Sequence, residues 1–538
     1  MTESASPSTR EPTPIVVLGL DAFDVDLLER WVAEGRLPFL AGLIERGAFA
    51  RLESTRDLFS DAPWPTLNAG VTPAKHAFFN HLQLQRGTLD IARTDAHHCR
   101  VLPFWQYLRG TGLRSALMDV PKTFPIEGLD GVQICGWGEH YPLLRSPLSI
   151  PPDRVGRCRA LYGEHPHPPE IVHPPSRHWE LSTRNALLEA VERKRRAIED
   201  LLDEETWDFF FSVFSEVHYA DHQFFHHADS KHWAHEPDPP PELMNALADV
   251  ATRVDAAIGR LFERIPRGAN WFVISVHGIE PNFTANHMME EVLIRLGYTV
   301  PAEHARATNR VGRILEWTAW LRERIPRSVR DRINSRLPER FHDEADSSAF
   351  EGTKDWSKTR AFLLPSDHFQ ALLSLNLEGR EPMGIVQPGI EAEALMEQLR
   401  EDLLELRNSQ TGRQAVAGIV KTADVYQGPN LPDLPDLIVQ WVKDAPIEGL
   451  EHPGFGTISA EGYPVRKSQH ARDGFLIAGG PGIAEGTRLE GVRTIDFAPT
   501  ALHLLGQPVP EELDGRILDG MLRHEGQSVS PEAGSLRA

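Results

Sequence analysis

Short, wholly apolar runs alternate along the chain with longer segments of helical spacing. "PIVVLGLDAFD" is an apolar run closed by Gly19 and Asp21, and the "VDLLERWVAEG" that follows has the spacing of an amphipathic helix, halted near Pro38. The pattern predicts a buried strand, a loop with an acid at its carboxyl end, then a helix. "NWFVISVHGIEPN" repeats the scheme and delivers His277 and Gly278, and "LPDLIVQW" and "DGFLIAGGPGI" read as two more strands between turn residues. Strands alternating with helices predict an open α/β sheet, whose ligands gather beyond the carboxyl ends of its strands.

The stretch "FFFSVFSEVHYADHQFFHHAD", residues 209–229, passes from an apolar block straight into His218, His222, His226 and His227. On a helix the first three lie four apart and stack on one face. Two imidazoles so placed can share a metal ion if the rest of the chain supplies further ligands. Glu216 and Asp221 are close enough in sequence to accept hydrogen bonds from the imidazole N–H groups. His226 and His227, a turn further on, read as structural or surface residues.

Between residues 290 and 355 the texture changes. "RVGRILEWTAWLRERIPRSVRDRINSRLPERF" is arginine-rich and amphipathic, with Trp317, Trp320 and Leu321 on its apolar face. It reads as a helical insertion capping the core rather than a membrane-surface helix. The expected organisation is a core of residues 14–289 and 356–523, this cap over 290–355, and disordered tails at 1–13 and 524–538.

At 538 residues the chain has room for a large core with insertions. Its net charge of −21 argues against nucleic acid and anionic membrane as partners, though a local metal or arginine cluster can still attract a small anion. No run of about 18 apolar residues predicts a membrane span. The odd, widely spaced Cys99, Cys135 and Cys158 and the polar opening "MTESASPSTREPTP" suit a cytoplasmic protein.

Taken in order, several segments resemble the type I phosphodiesterase/nucleotide pyrophosphatase family of the alkaline phosphatase superfamily. "VLGLDAFDVDLLERWVAEGRLPFLAGLIERGAFARLEST" resembles its opening strand, aspartate loop and helix. "FSDAPWPTLNAGVTPAKHAFF" resembles its nucleophile segment, with Gly70, Pro73 and His76 at the "TG-x-x-P-x-x-H" positions and Ser60 ten residues before the glycine. "RKSQHARDGFLIAGGPGI" resembles the late histidine segment, and "VRTIDFAPTALHLLGQPVPEELDGRIL" the closing one. The likeness implies an alkaline-phosphatase-like three-layer sandwich with a mostly parallel central sheet.

The same likeness implies a paired-metal site, usually zinc, that holds a phosphate ester against an activated hydroxyl. Carried across, it makes Ser60 the nucleophile, with Thr66 as competitor, and Asp21, His218, His222, His277 and His470 the metal ligands. Two positions depart from the family: His218 replaces an aspartate ligand, and Val276 stands where "S-D-H-G" has its aspartate. Three imidazoles with an open fourth position suit a catalytic zinc, while the Asp21/His277 site is left short of negative charge. One zinc is therefore expected rather than two.

The function expected is metal-dependent hydrolysis of phosphate mono- or diesters of a small anionic substrate through phospho-Ser60. Alternatives are a catalytically decayed binding protein, favoured by Val276, and phosphoryl or sulfate-ester transfer on the same fold. The sulfatase version requires a "C/S-x-P-x-R" motif, and "SDAPW" has no arginine. His76 reads as a loop support and Arg380 as a structural ion pair; His140 and His287 are candidates for the site's rim.

Overall fold

The computed structural model describes residues 12–55, 59–94, 98–139, 146–166, 176–303, 347–348, 350–366, 370–459 and 467–523. It divides into two compact units, one of residues 1–72, 95–282 and 465–538, the other of 73–94 and 283–464.

The first unit is built on a nine-stranded sheet. In chain order its strands are β1 (Ile15–Leu20), β2 (Ala48–Glu53), β3 (Ser115–Met118), β4 (Gly131–Cys135), β5 (Leu148–Ile150), β6 (Phe209–Phe214), β7 (Asn270–Ser275), β8 (Asp473–Gly479) and β9 (Arg488–Arg493). Across the sheet they lie in the order β9-β2-β8-β7-β1-β6-β3-β4-β5. The five adjacent strands from β7 to β4 are parallel. β8 runs against both its neighbours, and β5 against β4.

Every residue of β1 and of β6 is buried, as a strand covered on both faces requires. Val16, Leu18, Phe210 and Phe214 enter one apolar layer, with the helices Arg177–Glu204 (α3) and Ala246–Phe262 (α5). Ile15, Val17, Phe209 and Phe211 enter the other, with the helices Pro63–Ala69 (α2) and Phe497–Leu504 (α6). This is a three-layer sandwich, the architecture predicted. Each phenylalanine so buried contributes about 1.5–3 kcal/mol.

The second unit has its own four-stranded antiparallel sheet, in the order Ala361–Leu363, Ala371–Leu375, Leu437–Trp441, Val416–Lys421. The "LPDLIVQW" strand therefore forms as expected but belongs to this sheet, and residues 356–464, which the pattern joins to the core, fall in the second unit. An apolar run reports burial and says nothing about which sheet buries it. Arg380 is ion-paired to Asp436 at 2.6 Å and to Glu381 at 2.9 Å, the structural role expected of it. Of the expected cap, residues 304–346 lie outside the described residues, as do His140, residues 1–11 and the tail from 524. Among the described residues no helix is long and apolar enough to cross a membrane.

Candidate metal centre

β1, β6 and β7 finish level with one another: Gly19 lies opposite both Val213 and Ile274. Asp21 follows β1 directly. His218 and His222 lie on the helix after β6, Glu216–Ala228 (α4), and His277 follows β7. His470 arrives on a short strand, Ser468–Ala471, that pairs antiparallel with Gly278–Pro281 and sets His470 opposite Ile279. Residues as far apart as 21 and 470 thus meet at one edge of the sheet.

The Nε2 of His218 lies 3.0 Å from the Nε2 of His222 and 3.1 Å from that of His470. The other ring nitrogens decide what these contacts are. His218 Nδ1 faces the Asp21 carboxylate at 2.7 Å, and His470 Nδ1 faces the Ser60 carbonyl at 3.2 Å. Both partners only accept, so in the neutral rings each Nδ1 carries the hydrogen and each Nε2 presents a lone pair. Two lone pairs 3.1 Å apart repel unless a cation lies between them. Zinc–imidazole bonds are about 2.0–2.1 Å long, which sets nitrogens around a tetrahedral ion a little over 3 Å apart. The donor set therefore fits the metal the resemblance implies, with His218, His222 and His470 as the group able to hold it.

Asp21 is 2% exposed and uses both carboxylate oxygens: His218 takes Oδ2, and the Trp64 indole N–H donates to Oδ1 at 2.6 Å. Burial pushes its pKa up, but His218, His277 and the Trp64 N–H together outweigh that and hold the carboxyl below its ordinary value. His277 Nε2 is 3.7 Å from Asp21 Oδ1, and burial holds this imidazole neutral, with its pKa down at about 4. Val276 is fully buried in the apolar layer that also contains Trp64. Asp24, three residues after Asp21, caps Val25–Ala33 (α1) by accepting from the N–H groups of Asp26 and Leu27. Gly278 packs so closely on Asp24 that a Cβ there would lie 2.2 Å from its Oδ2, which explains the glycine of "SVHG".

Ser60 lies in the turn before α2 with its carbonyl on His470, whereas Thr66 is buried inside α2. Gly70 ends that helix at φ +66°, against Ala498, where only glycine fits without strain. His76 is buried and its Nδ1 accepts from the Phe78 N–H, a support for its loop as expected.

Glu216 and Asp221 do not back the imidazoles of the cluster. Glu216 bonds His165 at 2.8 Å, and both carboxylate oxygens of buried Asp221 lack a hydrogen bond; Asp21 does that work for His218. The helical register turns those two acids away, which adjacency in sequence cannot reveal. The sequence reading also missed Lys122, whose Nζ lies 3.2 Å from the carboxylate of Asp61, next to Ser60. Ala22, Asp119 and Lys122 all take left-handed φ in the loops beyond β1 and β3. Such strained backbone clusters at functional sites.

The mostly parallel central sheet covered by helices on both faces is alkaline-phosphatase-like. A solved structure of phosphonoacetate hydrolase from Sinorhizobium meliloti 1021, in complex with phosphonoformate, has the same fold: the match covers 94% of this chain and 100% of that one, at 13% identity and a TM-score of 0.50. The model of the type I phosphodiesterase / nucleotide pyrophosphatase family matches residues 15–444, and the chain belongs to that family. No curated protein matches the sequence.

Proposed function

We propose that the protein hydrolyses a phosphate mono- or diester of a small anionic substrate through a phospho-Ser60 intermediate. The observation that supports this most is the convergence of three imidazole Nε2 atoms beside the backbone of Ser60, in a chain of this family. His218, His222 and His470 would hold one zinc ion. When bound, it lowers the pKa of a nearby hydroxyl and offsets charge on the transferring phosphoryl group.

Ser60 Oγ gives up its proton to solvent and attacks phosphorus, the bond to the leaving alkoxide breaks, and the alkoxide takes a proton from solvent. Water then attacks phospho-Ser60, releasing the phosphate product and restoring the hydroxyl. Lys122 puts a cation within reach of this segment and complements an anionic substrate. The three cysteines, all unpaired, suit a cytoplasmic location. A second reading, a decayed site that binds without turnover, has Val276 in its favour.

Ser60→Ala should abolish hydrolysis of bis(p-nitrophenyl) phosphate and p-nitrophenyl phosphate while leaving bound zinc unchanged, and Thr66→Ala should keep most activity. An active Ser60→Ala variant beside a dead Thr66→Ala variant would overturn the nucleophile assignment. An unmodified protein that binds zinc and turns over neither ester would favour the decayed reading.

A further inference from the structure

Resting on the three-imidazole reading, we propose that Asp21 is a positioning residue behind a single metal ion, fixed in that role by Trp64, and not a ligand to a second ion. Each of its oxygens accepts a hydrogen bond. Oδ2 receives the His218 Nδ1 hydrogen, which sets that ring's tautomer, aims its Nε2 at the centre and raises its basicity. Oδ1 receives the indole N–H of Trp64 at 2.6 Å, and an indole nitrogen can only donate.

Trp64 has little freedom to leave. It is 3% exposed, packs on Phe211 with centroids 6.3 Å apart, and covers Gly19 so closely that a Cβ there would meet the ring at 3.0 Å. A second ion on Oδ1 would have to share that oxygen with this N–H, on its remaining lone pair. The neighbouring positions give it little in return. Val276 has no donor atom and lies in the apolar layer, which leaves His277, with its Nε2 3.7 Å from Asp21 Oδ1, as the single imidazole there. The aspartate has kept its place after β1 while the ring it supports has become a ligand where the family has a carboxylate.

Titration of the metal-free full-length protein with Co²⁺, followed by visible absorption and elemental analysis, tests this without reference to activity. The unmodified protein should take up one equivalent. Asp21→Asn should also take up one, about 10–100-fold more weakly and with a shifted spectrum, because the carboxylate behind His218 is gone. Trp64→Phe should fall between the two. Two equivalents in the unmodified protein, dropping to one in Asp21→Asn, would overturn the proposal and leave the three-imidazole centre standing. Failure of the unmodified protein to bind Co²⁺, or binding unaffected by His222→Ala, would overturn the centre itself. Should Asp21→Asn not fold, Trp64→Phe decides alone: unaltered affinity and spectrum there would overturn the positioning role.

Discussion

Two histidine clusters occupy successive turns of α4. His218 and His222, with His470, turn their Nε2 atoms toward one another at 3.0 and 3.1 Å. His226 and His227, one turn on, turn theirs toward charged partners: His226 Nε2 lies 3.0 Å from Lys467 Nζ, and His227 Nε2 lies 3.1 Å from the Glu180 carboxylate. Glu180, His226 and His227 are compact enough to be a candidate metal group in their own right. However, Arg177 reaches Glu180 at 3.4 Å, so this second group already contains two cations, which a divalent ion would have to displace or tolerate. Residue type and spacing are alike in the two turns. What separates a ligand set from a buried polar network is whether the nitrogens already have partners of suitable charge.

The comparison breaks most sharply on removing one imidazole from each cluster. His222→Ala should empty the metal centre and lower turnover by about a thousandfold, the equivalent of several kcal/mol of lost charge stabilisation. His227→Ala should leave the metal content unchanged and instead lower stability by about 1–3 kcal/mol, because buried Glu180 loses a hydrogen-bond partner. Elemental analysis with denaturant melts of both variants separates the two effects, and loss of metal in His227→Ala would erase the distinction.

A pH series sharpens it further. Burial first, then the neighbouring His227 and Lys467, hold His226 neutral, with its pKa down at about 2. The unfolded chain takes a proton there near pH 6.5, while the folded one resists it, so this residue's contribution to stability is lost as pH falls below 6.5. His226→Asn should therefore reduce the stability lost between pH 6.5 and 5 by roughly 1–2 kcal/mol. An unchanged slope in chemical denaturation would show that His226 titrates in the folded protein as it does in the unfolded one. The smallest effect is expected of Lys467→Met, which removes a half-buried donor from His226 and should change stability by no more than about 1 kcal/mol, with the metal content unaltered.

Much of this was legible in one dimension. The apolar runs at 15–20, 209–214 and 270–275 became central strands because burial on both faces demands continuous hydrophobicity, and the residue after each run necessarily lies at the sheet's edge. Ordered motifs then picked out Asp21, His218, His222, His277 and His470, and all five arrive at that edge. Partners were not legible. Glu216 and Asp221 stand nearer His218 in sequence than Asp21 does, yet it is Asp21, 197 residues away, that bonds the ring. Trp64 is visible in the sequence, but its bond to that carboxylate depends on how α2 packs over β1 and β6.

The amino-acid sequence alone determined the family, the mostly parallel α/β core and the identities of the imidazoles, because strand burial and motif order are properties of neighbouring residues. Only the tertiary structure assigned the "LPDLIVQW" strand to a second sheet, turned three Nε2 atoms inward and placed a carboxylate and an indole behind them. Those outcomes depend on which distant groups share a few ångströms, and on which nitrogen of each ring finds an acceptor, and both are set by packing between elements that the chain visits hundreds of residues apart.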